Sequence, residues 1–373
     1  MKNKLIYILF FIVLCSLFLT GAVSGQTGFQ EVKIHSQLFS GAIVGKTVIP
    51  IGWSVNVQEL TLNPESITWP NALYITISSP DGSVTMNYLS RRDFQQQNIY
   101  GPGVESQSAD DGYDESNMLH TLNYRNAAGT CDYMVNILYP GSTHTFLSER
   151  PYSEAEAQAL YQCWQLFDSG IRDAFSYADG SVNITATDIS IAERTYQSEG
   201  SKSVMAAVVS GYEVVSQFGN MYTDNINWSM NAVFSMQSPA SVFDQYMDIY
   251  SVFAMNTTIS QEYNSMTEMH SNYLWNYFME LKEGKNPDPD NLAEKLDSAS
   301  IETVNKGDSY SAIEGWSDVI KEQNDFTLSS GSHIKLSTSF DHVYEDSDGN
   351  IYAGFGSFYP EGTTELFPTG VGN

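Results

Sequence analysis

The stretch ALYITISSPDGSVTMNY, residues 72–88, predicts two antiparallel strands joined by a tight turn. Apolar and polar residues alternate on both sides of Pro80-Asp81-Gly82. Alternation with a period of two is typical of a strand with one buried face, and the turn glycine tolerates a positive φ angle. The stretch therefore indicates a β-hairpin within an antiparallel sheet.

Strands and then a helix are predicted around this hairpin. Residues 47–57 run into a strand, whereas residues 93–117, rich in Gln, Ser, Asp and Gly, predict a long polar loop. Ser153 and Glu156 form a capping box, in which each side chain satisfies a backbone N–H of the other residue. Apolar residues then recur at helical spacing: Leu160, Cys163, Trp164, Phe167 and Ile171.

A second block repeats this order. Residues 181–186, 203–210 and 227–236 suit strands, and Ser238-Pro239 predicts the start of a helix. A further helix is expected from about Ser260 to Leu281, followed by a linker rich in proline. In the tail, Asp346-Ser-Asp-Gly-Asn predicts a hairpin turn. The alternative is a calcium loop, but position 12 is Ser357 rather than a bidentate glutamate.

Together these elements predict an α+β fold of two antiparallel sheets, each backed by helices, with a small β-rich C-terminal segment. The predicted boundaries are a signal peptide at 1–25, a first α+β domain at 26–176 and a second α+β domain at 177–284. A linker, short helices and the β-rich tail occupy 285–373.

Four stretches resemble secreted and surface-anchored prokaryotic proteins with PsbP/Mog1-like domains. They are residues 49–55, residues 78–82, Trp228 followed by residues 238–244, and residues 315–350. The resemblance implies an antiparallel sheet backed by helices, and it implies export. It brings no catalytic residues with it.

The N-terminus predicts secretion. Lys2 and Lys4 precede an apolar run from Leu5 to Thr20, and small residues at 21–25 would allow cleavage before Gln26. A retained membrane anchor is the alternative, but a spanning helix needs about 20 apolar residues. No other stretch is apolar enough to span a bilayer. The protein is therefore expected to be secreted or held at the cell surface.

The charge of the chain excludes some partners. A formal net charge of −27 repels phosphate backbones, so no nucleic-acid partner is expected. The same negative field disfavours docking on anionic lipid. Between Ser203 and Leu281 there is no Lys or Arg, so that stretch offers no cation for binding phosphate or carboxylate groups.

Cys131 and Cys163 remain once the signal peptide is removed. In an oxidising compartment such a pair is expected to form a disulfide, which would join a predicted strand at 132–138 to the helix that follows Ser153. A buried thiol on the apolar face of the helix is the alternative for Cys163. Three sequons mark possible glycosylation sites: Asn183, Asn227 and Asn256.

The chain carries no recognisable catalytic motif. It lacks the His-Glu-x-x-His helix, the Gly-x-Ser-x-Gly elbow and a phosphate-binding glycine loop. Neither a metal site nor a cofactor is predicted. The five aromatic residues that crowd the tail are candidates for a ligand platform, the alternative being that they complete a sheet core: Tyr344, Tyr352, Phe355, Phe358 and Tyr359.

The predicted function is an exported, non-catalytic protein that binds an extracellular ligand or a surface partner. Two alternatives stay open. One is a secreted hydrolase of the glycosidase type, which needs only two carboxylates about 5–10 Å apart; 44 acidic residues are too many to single out such a pair. The other is a structural component of the cell surface.

Overall fold

The structure is a computed structural model. It describes residues 27–39, 41–61, 71–101, 104–108, 112–114, 119–176, 182–260, 263–267, 280, 323–337, 340, 342–354 and 360–369. The predicted signal peptide, most of the helix expected at 260–281 and the linker after it lie outside these residues. None of the helices that the structure describes is long and apolar enough to cross a membrane.

Among the described residues, those in strands outnumber those in helices by more than two to one. The first nine strands are β1 (Thr27–His35), β2 (Ile43–Pro50), β3 (Ser54–Thr61), β4 (Asn71–Ser78), β5 (Thr85–Gly101), β6 (Val104–Ser108), β7 (Gly112–Asp114), β8 (Leu119–Thr121) and β9 (Thr145–Glu149). The next nine are β10 (Val182–Ser198), β11 (Ser201–Phe218), β12 (Met221–Pro239), β13 (Thr258–Ile259), β14 (Gln323–Thr327), β15 (His333–Ser337), β16 (His342–Asp346), β17 (Ile351–Gly354) and β18 (Thr363–Leu366). The helices are α1 (Ala127–Leu138), α2 (Glu154–Phe175) and α3 (Met247–Asn256), with a 3-10 helix at Phe243–Tyr246. Residues 263–267 are helical as well, within the helix expected at 260–281.

The predicted α+β class, with two antiparallel sheets each backed by helices, is wrong. One antiparallel sheet has the main path β3-β4-β5-β12-β11-β10-β9, so it takes strands from both of the predicted domains. Strands β10 to β12 are 17, 18 and 19 residues long, much longer than the segments that the sequence indicated. The molecule is mostly β because these strands continue well beyond the segments that the sequence predicted.

A six-stranded sheet, in the order β13-β2-β1-β17-β16-β18, brings the two ends of the described chain together. Its β1 pairs with β17, from the tail. Side chains of this sheet, such as Phe29 and Ile49, share one core with Phe234 and Met236 of the ten-stranded sheet. The six-stranded sheet therefore covers much of one face of the ten-stranded sheet, where the sequence predicts helices alone.

Helix α3 belongs to that larger core. Nine of its residues, from Asp248 to Asn256, are buried, which is typical of a helix enclosed on all sides. The predicted start at Ser238-Pro239 is wrong, because β12 continues to Pro239 and pairs there with Ser201. The chain turns first into the 3-10 helix and only then into α3.

A smaller core lies on the opposite face of the ten-stranded sheet, under α1. Met205 and Val209 belong to it, whereas Val204 and Val208 belong to the larger core, because successive residues of β11 point to opposite faces. Trp228 is the largest side chain there, only 2% exposed. Residues 132–138, predicted as a strand, are part of α1, whose N-cap Asn126 accepts a hydrogen bond from Gly129 N.

Local predictions fared better than long-range ones. The hairpin of residues 72–88 is confirmed as β4 and β5, with Gly82 at φ 70°. The capping box of Ser153 and Glu156 is confirmed at the start of α2. The turn after Asp346 joins β16 to β17 as predicted. The polar loop at 93–117 is wrong where β5, β6 and β7 occupy it.

The predicted disulfide between Cys131 and Cys163 is wrong. Cys131 lies on α1 in the smaller core, and Cys163 lies on α2 in the larger one, so the ten-stranded sheet separates them. Their thiols are buried and unbridged. The prediction failed because it placed Cys131 at the start of a strand packed against the helix of Cys163. Cys131 instead lies on α1, on the opposite face of the sheet from Cys163.

We expect the chain without residues 1–25 to show two reactive thiols when it is denatured in the absence of reductant. The native protein should show almost none at neutral pH, because burial raises the pKa of Cys163 to about 12 and that of Cys131 further still. Titration with a chromogenic disulfide reagent measures both states. A denatured chain without any reactive thiol would show that the bridge forms after all.

Candidate functional site

An open cleft of about 630 Å³ lies where the two sheets meet. Its volume falls in the range of small-molecule sites, about 300–1,000 Å³. Segments from both sheets and from the helical connection between them line it: Gly28, Pro50, Ile51, Trp53, Ser79, Pro80, Asp81, Tyr246, Ile249 and Tyr352. The cleft exists only in the folded chain, since its walls lie far apart in sequence.

The link between β2 and β3 places Trp53 in the cleft. Strand β2 ends at Pro50 in the six-stranded sheet, and β3 begins at Ser54 in the ten-stranded sheet. Gly52, at φ 84°, allows this sharp crossing. The indole ring then packs against Tyr246, with the ring centroids 5.9 Å apart and the planes at 53°. The two rings form a corner of the cleft wall.

Tyr352 is held at both ends of its side chain. It stands opposite Gly28 in the β1–β17 ladder. A Cβ atom at position 28 would lie 3.1 Å from Cε1 of Tyr352 and 2.8 Å from Cδ1 of Ile51, so glycine makes room for the ring against the backbone. The hydroxyl of Tyr352 donates to Oδ2 of Asp346 at 3.1 Å. These contacts fix the ring where it borders the cleft.

Asp81 supplies a carboxylate at the rim. Its Oδ1 accepts hydrogen bonds from Oγ of Ser79 at 2.6 Å and from N of Ser83 at 3.1 Å. These bonds, that from Ser79 first, lower the pKa of Asp81 to about 2. The group is therefore ionised at any physiological pH. Its Oδ2 accepts from Oγ of Ser83 at 2.9 Å, and a carboxylate oxygen has room for a further donor.

Among the described residues that line the cleft, Asp81 is the only charged one. The cleft thus combines three aromatic rings, several aliphatic groups and one permanent negative charge. Such a surface can hold an apolar or cationic group against the rings. It can also bind a hydrogen-bond donor at the carboxylate. It offers no lining acid that would carry a proton at neutral pH.

A second cluster of charges lies beneath α2 and is enclosed. Arg150 donates to Oε1 of Glu156 at 2.8 Å, and its Nε lies 3.8 Å from Oε1 of Glu193. Burial raises the pKa of Glu193 to about 8, with Arg150 opposing the shift and Glu156 adding to it. Glu193 is 7% exposed and Glu156 is 3% exposed. These groups therefore belong to the packing of α2 rather than to an accessible site.

The structure divides the aromatic candidates of the tail. Tyr352 lines the cleft, whereas Tyr344 is 3% exposed and belongs to the packed interior. Phe355, Phe358 and Tyr359 lie outside the described residues. Sequence reasoning missed Trp53 and Tyr246. The sequence held one indication for Tyr246. It falls outside the apolar stripe that the predicted helix buries, which is formed by Phe243, Met247, Tyr250 and Phe253.

The three sequons occupy different surroundings. Asn183 is exposed on β10, and Asn227 is half-buried with its Oδ1 accepting from Nε2 of Gln95 at 3.0 Å. Asn256 is buried, and its Nδ2 donates to the carbonyl groups of Val252 and Lys335, each at 2.8 Å. The folded chain therefore leaves no room for a glycan at Asn256, and glycosylation at Asn183 and Asn227 stays a prediction.

No protein-family model matches the chain, and no curated protein sequence matches it. The resemblance to PsbP/Mog1-like proteins therefore stays a prediction from four short stretches.

Proposed function

We propose that this is an exported, non-catalytic binding protein that holds a small extracellular ligand in the aromatic cleft. The observation that carries the proposal is that Trp53, Tyr246 and Tyr352 line one cleft whose rim carries the ionised carboxylate of Asp81. Export rests on the basic, apolar and small-residue pattern of residues 1–25.

The architecture supports binding because the cleft residues are positioned by rigid elements. Trp53 follows a crossing between two sheets, Tyr352 lies in a strand ladder, and Asp81 sits in a hydrogen-bonded hairpin turn. Ile51, 41% exposed, adds an apolar surface that a ligand would cover. Pre-positioned side chains lose little conformational entropy on binding, which favours affinity.

The chemistry of the cleft supports binding over hydrolysis. A glycosidase needs a carboxylic acid that keeps its proton at working pH, beside a second carboxylate. Among the described lining residues Asp81 is the only acid, and its pKa of about 2 leaves it without that proton. Glu193 has a raised pKa, but it is buried under α2. Accordingly, we place the paired-carboxylate hydrolase second.

Trp53→Ala is expected to abolish or strongly weaken ligand binding. Saturation-transfer NMR against a panel of sugars, amino acids and organic cations would find the ligand class, and calorimetry would measure affinity. We expect the affinity to fall at least about tenfold, because the variant loses one aromatic contact with the ligand and the surface which that contact removes from water.

Tyr161→Ala is the matched control for that experiment, because Tyr161 is an aromatic residue that is 52% exposed on α2 and does not line the cleft. The ligand affinity of the Tyr161→Ala variant should equal that of the unmodified protein. Thermal unfolding of both variants checks that each is folded. Ligand binding that survives Trp53→Ala in a folded protein, or no binding across the panel, would contradict the proposal.

A further inference from the structure

We propose that the aromatic cleft selects an organic cation, a quaternary methylated ammonium group, over a neutral molecule of the same shape. The inference rests on the proposed function, because it names the class of ligand for the same site. Three features of the cleft carry it: its aromatic faces, its single negative charge and the engagement of two of its hydroxyl groups.

The aromatic faces come first. The face of an aromatic ring carries negative potential, and a cation within about 6 Å of the ring centroid is attracted to it, most strongly by indole. Trp53 and Tyr246 form a corner with their centroids 5.9 Å apart, and Tyr352 borders the same space. The hydroxyl of Tyr352 donates to Asp346, which raises the electron density of that ring. A quaternary ammonium group in the cleft would lie beside these rings.

The charge of the cleft acts in the same direction. Asp81 stays ionised, and the described lining residues include no Lys or Arg to balance it. The chain as a whole carries a net charge of −27. Its field concentrates cations near the surface and repels anions. A neutral ligand gains nothing from either effect.

Two of the three hydroxyl groups that line the cleft, those of Ser79 and Tyr352, are already engaged. Oγ of Ser79 donates to Asp81 and accepts from N of Val84 at 3.0 Å. The hydroxyl of Tyr352 donates its proton to Asp346. A sugar presents many hydroxyl groups, each of which needs a partner when it leaves water. A quaternary ammonium group, whose nitrogen carries four carbon substituents, has no N–H donor to satisfy, so this cleft suits it better.

The test compares choline with 3,3-dimethylbutan-1-ol, which has the same shape but carries carbon in place of the charged nitrogen. Glucose serves as the neutral sugar. With the full chain lacking residues 1–25, we expect calorimetry to show that choline binds at least about tenfold more tightly than the neutral alcohol. Asp81→Asn should weaken choline binding and leave the alcohol unchanged. Glu199→Gln, which removes an exposed charge elsewhere, should change neither.

The outcomes separate this inference from the proposed function. If the alcohol or glucose binds as tightly as choline, and Trp53→Ala removes that binding, the cleft is a ligand site but the cation inference is overturned. If choline, the alcohol and glucose all fail to bind, the cation inference is overturned as well, and the wider panel then decides the proposed function. If Asp81→Asn is poorly folded, the dependence of choline affinity on salt replaces it. Affinity that does not fall with salt would count against the inference.

Discussion

Trp228→Ala is expected to lower the free energy of unfolding by about 3–5 kcal/mol, the usual cost of truncating a buried aromatic residue. Trp228 is 2% exposed, and its ring stacks on Phe94 with the centroids 4.8 Å apart. Its Nε1 also donates to the carbonyl of Leu122 at 2.9 Å. The loss is large because the cavity opens in the smaller core, where α1 supplies much of the covering layer. Urea denaturation followed by circular dichroism measures it.

Trp228→Phe separates the hydrogen bond from the packing. It keeps a ring against Phe94 but leaves the Leu122 carbonyl without its donor, so we expect a clearly smaller loss. Tyr161→Ala, at a residue that is 52% exposed, should change stability by only about 0.5 kcal/mol or less. Should Trp228→Ala cost no more than Tyr161→Ala, the smaller core described above would be wrong.

Glu193→Gln is expected to flatten the pH dependence of stability between about pH 5 and pH 8. The pKa of Glu193 is raised from 4.5 to about 8 in the folded chain, because burial disfavours the charged carboxylate. Between these values the folded protein keeps a proton that the unfolded chain has lost. The free energy of unfolding therefore falls as pH rises through this range, by a few kcal/mol in all at about 1.4 kcal/mol per pH unit.

The charged groups beside Glu193 determine how strongly its pKa is raised, and therefore how wide a pH range the change in stability spans. Arg150 opposes the raised pKa, and Glu156 strengthens it. Glutamine mimics the protonated acid, so the variant should match the unmodified protein near pH 5 and exceed its stability near pH 8. Glu199→Gln, at an exposed turn, is the control and should leave the curve unchanged. Parallel curves for Glu193→Gln and the unmodified protein would show that Glu193 titrates normally.

The parts of the fold that sequence could predict are those whose causes are local. The hairpin at Pro80-Asp81-Gly82 and the capping box at Ser153 depend on residues a few positions apart, and both are present. The pairing of β5 with β12 joins residues more than a hundred positions apart. Nothing in the period of either strand specifies that partner or its register, so the single large sheet could not be predicted.

Polarity misled the prediction at residues 93–101. Their Gln and Asn side chains resembled a loop, yet β5 pairs there with β12, which satisfies the backbone as fully as in an apolar strand. The opposite error occurred at 132–138, where Tyr133, Val135 and Ile137 suggested a strand. The N-cap Asn126 was the missed signal, since its side chain receives Gly129 N at the start of α1.

The candidate site was predictable only in part. Tyr352 was among the candidates because aromatic residues crowd the tail. Trp53 and Tyr246 could not be joined to it, since the cleft forms only when the β2–β3 link crosses from one sheet to the other. Asp81 was known only as a turn residue. Its role at the rim depends on the hairpin turn lying beside Pro50 and Tyr246 in space.

The most direct measurement of the central claim is a fluorine NMR titration of protein labelled with 5-fluorotryptophan. The chain has six tryptophan residues, and the variants Trp53→Phe and Trp228→Phe would assign two of the signals. If the cleft is the ligand site, adding the ligand shifts the Trp53 signal and leaves that of buried Trp228 in place. A saturable ligand that moves other signals while Trp53 stays fixed would contradict the account.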